Sequence, residues 1–390
     1  MAEWIECTIG DLCSTISDTY KGNDDRVVLV NTSDVLNGKV LNHIAVPNNN
    51  LKGQFKKTFK KNDILYSEIR PANKRFAFID FKNTDNYIAS TKLMVLRHND
   101  SVLPEFLYAI LKSDHVIKEL QHLAETRSGT FPQITFSTEL APMKVRLPDK
   151  ETQKRIVGVL SSIEQKIDAN TNINKNLLQQ AQSIFTQEFL LLDSIPDGWQ
   201  ESSLLGIADY LNGLAMQKYR PKDDEQGLPV LKIKELRQGS CDSNSELCSP
   251  SIKQEYIVHD GDVIFSWSGS LLVDLWCGGT CGLNQHLFKV TSTTYDKWFY
   301  YAWTNHHLQK FAAIAADMAT TMGHIKREEL AKAEVLIPTQ SDYDRIGGLL
   351  APLYDLVIAN RIENRKLASL RDELLPQLMS GQLDVSEVSL

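Results

Sequence analysis

Chemistry in this chain would have to come from its histidines, cysteines, carboxylates or glycine-rich turns, and their spacing argues against each in turn. The nine histidines form no H-E-x-x-H and do not cluster at metal-ligand spacing. His306 and His307 are neighbours on an expected helix and read as surface residues. Of the six cysteines, Cys277 and Cys281 stand nearest in sequence, with no C-x-x-C and no second pair. They read as buried or idle thiols of a reducing cytoplasm. "WCGGTCG" (276–282) follows apolar residues without the helix a dinucleotide site needs, so it reads as a tight turn. There is no phosphate-binding G-x-x-x-x-G-K-[ST] and no G-x-S-x-G elbow. "PDKETQK" lacks the E-x-K of a metal-dependent nuclease, and the motifs of a base methylase are missing. The expectation is a non-catalytic chain with no metal and no cofactor of its own.

Basic residues leave one opening. Between Lys52 and Arg75 eight lysines and arginines stand against two acids, either a solvated face or a surface for phosphates. The net charge of −7 argues at first against nucleic acid, but its distribution is uneven. Residues 1–148 carry +2, 149–195 carry −1, 196–338 carry −5 and 339–390 carry −3. No run approaches the ~20 apolar residues of a membrane span. The opening "MAEWIECTIGDLC" has neither the basic start nor the apolar core of a signal peptide.

The elements that would position such residues occur twice. "LPDKETQKRIVGVLSSIEQKIDAN" aligns without a gap to "IPTQSDYDRIGGLLAPLYDLVIAN", at an offset of 190 residues. Upstream, "KKNDILYS" answers "VHDGDVIFS", "STKLMVLR" answers "NQHLFKVT", "FLYAILKS" answers "WFYYAWTN", and "EWIECTIGDL" answers "GWQESSLLGI". The chain is two copies of one unit, a mixed domain followed by a long helix. "DILYS", "RFAFID", "LMVLR", "DVIFSW" and "HLFKV" read as strands. Helices are expected over 105–124 and 297–316. Pro148 and Pro338 end a strand, after which Asp149 and Thr339 offer helix N-caps. "SIPDGW" links the copies.

Both long helices carry a seam whose spacing averages 3.5 residues, the signal of a coiled coil. The first runs through Ile156, Leu160, Ile163, Ile167, Asn170, Asn174, Leu177, Ala181 and Ile184. The second runs through Ile346, Leu350, Leu353, Val357, Asn360, Asn364, Leu367, Arg371, Leu374 and Leu378. An unpaired buried Asn costs about 1–3 kcal/mol, so the seam asparagines select a register that pairs them. Parallel packing could match them too. Antiparallel packing about a pseudo-two-fold axis would set Asn170 near Asn364 and Asn174 near Asn360. It would also place the two mixed domains at opposite ends of a rod.

This organisation resembles the specificity subunit of a type I restriction–modification system. The resemblance rests on "KNDILYSEIRP", "HDGDVIFSWSGS", "GLNQHLFKV", "GHIKREELAKAEVLIP" and "LRDELLPQLMSGQLDV", and covers essentially the full length. It implies an α+β fold in which two target-recognition domains alternate with two long helices packed as an antiparallel, pseudo-two-fold coiled coil. The segments are recognition domain 1 (1–148), a spacer helix (149–192), recognition domain 2 (193–338), a second spacer helix (339–380) and a tail (381–390). The departures are "GTFPQITFSTEL" against "TTMGHIKREEL" and the −5 balance of the second domain.

The resemblance further implies that each domain reads half of a bipartite, asymmetric sequence in double-stranded DNA. The coiled coil sets the gap and docks two methyltransferase subunits that use S-adenosylmethionine to methylate adenine. Motor-nuclease restriction subunits join for cleavage, in the prokaryotic cytoplasm and away from any membrane. Arg suits guanine and Asn or Gln suits adenine, so the loops beyond the repeated strands supply candidate contacts. In the first domain these are Ser67, Arg70, Asn73, Lys74, Arg75, Arg127, Thr130 and Gln133. In the second they are Lys218, Tyr219, Arg220, Ser268, Ser270, Asn284, Gln285, His286, His324 and Lys326. A solvated loop position, support of the fold by hydrogen bonding, or phosphate contact is the competing role for each. The competing function is a coiled-coil adaptor whose two domains bind proteins.

Overall fold

The computed structural model describes residues 4–22, 24–49, 53–126, 132–317 and 325–386. The chain divides into two compact units, residues 1–164 with 369–390, and residues 165–368. Each takes one stretch from each long helix.

Unit 1 opens with β1 (Trp4–Thr8), β2 (Cys13–Ile16), β3 (Arg26–Val30), β4 (Ala45–Pro47), β5 (Phe55–Lys57), β6 (Ile64–Ser67), β7 (Phe76–Phe78), β8 (Tyr87–Ser90) and β9 (Leu93–His98), with a short hairpin of Val35–Leu36 and Lys39–Val40 between β3 and β4. Helices α1 (Pro104–Leu111) and α2 (Asp114–Thr126) follow, then β10 (Lys144–Pro148) and the long helix α3 (Lys150–Phe185). The single helix expected over 105–124 is therefore two. Ser113 breaks it by capping the second, its hydroxyl accepting from Val116 N at 3.4 Å.

One sheet has the order β2-β9-β6-β7 and another β4-β3-β8-β5, while β10 pairs with β1. Strand β6 is buried along its whole length. Ile64 and Tyr66 join a core with Leu12, Phe106 and Ile110, and Leu65 joins another with Val30 and Val95. Alternate side chains point to opposite faces, so a strand covered on both sides must be apolar throughout.

Unit 2 repeats this plan with other residues. Its strands are β11 (Gln200–Ser203), β12 (Asp209–Asn212), β13 (Leu228–Leu231), β14 (Leu247–Cys248), β15 (Ile257–Val258), β16 (Val263–Ser266), β17 (Leu272–Leu275), β18 (Cys281–Leu283) and β19 (Leu287–Thr291). Helix α4 (Lys297–Asp317), β20 (Glu334–Ile337) and the long helix α5 (Gln340–Ser380) complete it. Sheet order β12-β19-β16-β17 matches the first unit's β2-β9-β6-β7. The register matches as well, with Leu93 opposite Ser67 and Leu287 opposite Ser266.

His306 and His307 correct the surface reading. His307 is 6% exposed, its Nε2 is 2.8 Å from Glu334 O, and its ring stacks on Trp303. His306 packs against Phe185 and Trp303. Burial pushes both imidazole pKa values down. The six cysteines are free thiols.

The helix caps stand where expected. Thr152 N donates to Asp149 Oδ1 at 2.9 Å, and Asp342 N donates to Thr339 Oγ1 at 3.3 Å. Within unit 2 the helices run antiparallel. Asn170 Nδ2 donates to Asn364 Oδ1 at 2.9 Å, and Asn360 Nδ2 donates to Asn174 Oδ1 at 2.9 Å. Asn170 also reaches Glu363 Oε2 at 2.6 Å, and Asn364 Nδ2 reaches Ile167 O at 3.2 Å. Further along, Phe185 and Ala181 pack in one core with Ile346, Leu350 and Tyr354. Arg345 grips Glu188 through both oxygens, at 2.9 and 2.8 Å. Within unit 1, Ile156 and Leu160 of α3 share a core with Leu375 and Leu378 of α5.

Candidate nucleic-acid interface

The two repeated strands β6 and β16 end in loops of one design. Ser67 and Ser266 are both buried. The Ser67 hydroxyl donates to Ile69 O at 3.2 Å and accepts from Ile69 N at 3.1 Å. The Ser266 hydroxyl donates to Ser268 O at 3.3 Å and Ser270 O at 3.0 Å. Each serine thus shapes the loop from inside. Three residues after the serine that ends each strand, the backbone enters left-handed space, at Arg70 (φ +46°) and at the aligned Gly269 (φ +65°). Glycine adopts that conformation freely, whereas arginine does so at a cost of roughly 1–3 kcal/mol.

In the first loop, Arg70 and the left-handed Lys74 bracket a 3₁₀ turn at Pro71–Asn73. A second segment is stitched on: Arg70 N donates to Pro132 O at 3.1 Å and Ile134 N to Glu68 O at 2.9 Å. This sets Gln133 opposite Ile69. Lys92 Nζ lies 3.5 Å from Gln133 Oε1 and 3.7 Å from Glu68. The structure therefore brings together Arg70, Asn73, Lys74 and Gln133 around a loop held by Ser67. Lys74 also faces Asp114 at 3.5 Å, both side chains being exposed. Arg75 turns inward, its Nη1 donating to Ser33 O at 3.0 Å and Val35 O at 3.3 Å. Arg127 and Thr130 lie outside the described residues.

The basic run from 52 to 75 is not one face. Lys57 Nζ donates to Thr91 O at 3.0 Å and Leu93 O at 2.8 Å, and burial pushes its pKa down. Lys60 and Lys61 are exposed before β6 begins, whereas Arg70 and Lys74 follow its end. Between them Arg97 holds the buried Asp63 in a fork of 2.8 and 2.7 Å, and that carboxylate raises the arginine pKa.

In the second domain Ser268 Oγ lies 3.2 Å from His286 Nδ1, and Gln285 Nε2 lies 3.3 Å from His286 Nε2. Asn284, 7% exposed, accepts from His286 N at 3.3 Å and so supports the turn. Trp267 Nε1 donates to Asn212 Oδ1 at 3.0 Å, and Ile325 N donates to Trp267 O at 3.0 Å, which brings Lys326 beside the cluster. Ser270 is exposed at the loop tip. Lys218 and Tyr219 are exposed on a separate turn, while Arg220 is engaged by Glu246 at 2.9 Å. His324 lies outside the described residues.

Lys92 and Trp267 were missed by sequence reasoning, although the repeat carried a signal for both. Placing Leu93 on Leu287 sets Lys92 on His286, and placing Ser67 on Ser266 sets Glu68 on Trp267. Among the described residues no group of three or more His, Cys, Asp or Glu could hold a metal ion. Among them, too, no helix is long and apolar enough to cross a membrane. The loops offer arginine, lysine, amide and imidazole groups at strand ends, a set suited to base edges and phosphates.

The model of the type I restriction modification DNA specificity domain matches residues 1–179 and again 196–370. The chain belongs to this specificity family. The HindI specificity subunit of a Haemophilus influenzae type I restriction enzyme is 27% identical over an alignment covering 98% of this chain and all of that one. The MjaIX specificity subunit of Methanocaldococcus jannaschii is 24% identical, over 74% of this chain and 71% of the relative. In fold, the chain is similar to the crystal structure of a type I restriction-modification S subunit from M. genitalium. That match has a TM-score of 0.56 at 14% identity and covers 97% of this chain and 96% of the other. The two matched stretches of specificity domain coincide with the two repeats, so DNA specificity is a property of each copy.

Proposed function

We propose that this chain is the non-catalytic, sequence-reading subunit of a type I restriction–modification complex. Residues 1–148 and 193–338 each read one half of a bipartite, asymmetric DNA target. Segments 149–192 and 339–380 set the gap between halves and dock two adenine-methylating subunits, which carry S-adenosylmethionine. Motor-nuclease subunits join this assembly for restriction. In the first domain Arg70, Asn73, Lys74, Gln133 and Lys92 face DNA, and in the second Ser270, Gln285, His286 and Lys326 do so. Lys218 and Tyr219 flank the second group.

The observation that carries this reading is the duplicated loop: a buried serine closes each repeated strand, then a left-handed residue turns the chain outward. The same geometry presents different side chains, Glu68-Ile69-Arg70 in one copy and Trp267-Ser268-Gly269 in the other. A common scaffold with unlike tips is what reading two unlike half-sequences requires. The test is methylation by the assembled complex of DNA carrying both half-sites, either half scrambled, or neither. Methylation is expected only when both halves are intact; equal rates on all four would refute the reading.

A further inference from the structure

The end of β17 and the glycine-rich turn after it take no part in the proposed DNA face, yet they receive two arginines of α5. Arg361 and Arg365 stand one helical turn apart, so both leave the helix on one side. Arg361 Nη1 donates to Asp274 Oδ1 at 2.7 Å and to Leu275 O at 3.0 Å. Arg365 forks onto Asp260 with two bonds of 2.7 Å, and its Nη1 also donates to Cys277 O at 2.6 Å. The turn is held open for it. Gly279 N donates to Asp260 Oδ1 at 2.8 Å, and Trp276 Nε1 donates to Gly279 O at 2.6 Å. Gly279 has φ +91°, and a Cβ there would stand 3.3 Å from Arg365 Nη1.

We propose that Arg361 and Arg365 are positioning residues that lock the second recognition domain at one angle on α5, and so fix the rotational phase at which its half-site must lie. This rests on the bipartite reading above. One guanidinium fork, at Arg365, and a second guanidinium that shares Nη1 between a carboxylate and a carbonyl leave little angular play, less than a pair of lysines would allow. B-DNA turns once in about 10 base pairs, so one base pair more or less in the gap rotates a half-site by roughly 35°. A domain locked in angle rejects that displaced half-site, and a loosened one follows it.

The test uses the chain assembled with its methylating subunits. Methylation is measured on DNAs that keep both half-sites while the gap is lengthened or shortened by one base pair, and on DNAs with a scrambled half-site. The wild-type complex is expected to accept one gap. In the Arg361→Ala/Arg365→Ala variant the preference for that gap should fall by about tenfold, as loss of charge-assisted bonds predicts, while scrambled half-sites are still rejected. Arg365→Lys should fall between. A variant with the wild-type gap preference overturns the proposal, as does one that loses base discrimination together with gap discrimination. If the double variant does not fold, Asp260→Asn removes the charge but keeps an acceptor for Gly279 N, and an unchanged gap preference there is equally fatal. A wild-type complex indifferent to half-site sequence overturns the bipartite reading itself, which is a separate result.

Discussion

Arg70 holds a left-handed backbone at the position where the second copy has Gly269. Strain kept at a loop tip needs a reason, and the arginine side chain supplies one if it meets DNA. Arg70→Gly is therefore expected to leave stability unchanged or raise it by up to about 1 kcal/mol. Methylation of the bipartite target should fall by roughly five- to 150-fold, in keeping with a lost contact of about 1–3 kcal/mol. Denaturant unfolding and methylation assays on one sample check both, and a variant that loses stability and keeps activity contradicts the assignment. Loop chemistry was only partly legible in the sequence. Residue type suggested Arg70 and Gln133, and the structure stitches their segments together. Type alone could not show that Arg75 and Lys57 turn inward to cap carbonyls, because their partners Ser33, Val35, Thr91 and Leu93 are remote in sequence.

At the scale of elements, the asparagine seam makes a quantitative prediction. Asn170→Leu leaves Asn364 Oδ1 without its 2.9 Å donor and should cost about 1–3 kcal/mol. Replacing Asn170 and Asn364 together removes both polar groups and should cost less than the two single changes summed. Urea midpoints of the four proteins in this cycle measure the coupling, and strict additivity would deny the pairing. Helix α4 gives a pH prediction. Its half-buried His306 and buried His307 have folded pKa values below the ordinary value of about 6.5, so protonation favours the unfolded chain. Their contribution is complete above about pH 6.5 and is lost as pH falls through the folded values. The urea midpoint should drop between pH 7.5 and 5.5, and His307→Gln should flatten that drop; identical slopes would deny it. The seams of α3 and α5 were readable because four- and three-residue spacing survives in any context. Burial of the histidines was not, because α4 is apolar or aromatic on most sides and its covering partners, such as Phe185, come from another element.

For the whole molecule, the repeat was the most legible property, since two aligned copies imply two copies of one fold. Matching sheet orders and strand registers in the two units bear this out, as does the family match falling once on each copy. The net charge was the least helpful property. An acidic total of −7 conceals basic loop tips, and phosphate contact depends on the local field rather than on the sum. In the function proposed above, two unlike readers in one chain select one two-part DNA sequence. Its most direct test is a map of methylated adenines in DNA treated with the assembled complex, over a pool in which every sequence is present. One motif made of two different half-sequences at a single fixed gap is expected, with each half altered separately by changes in one of the two domains. A continuous motif, a symmetric one, or methylation without sequence preference would contradict it.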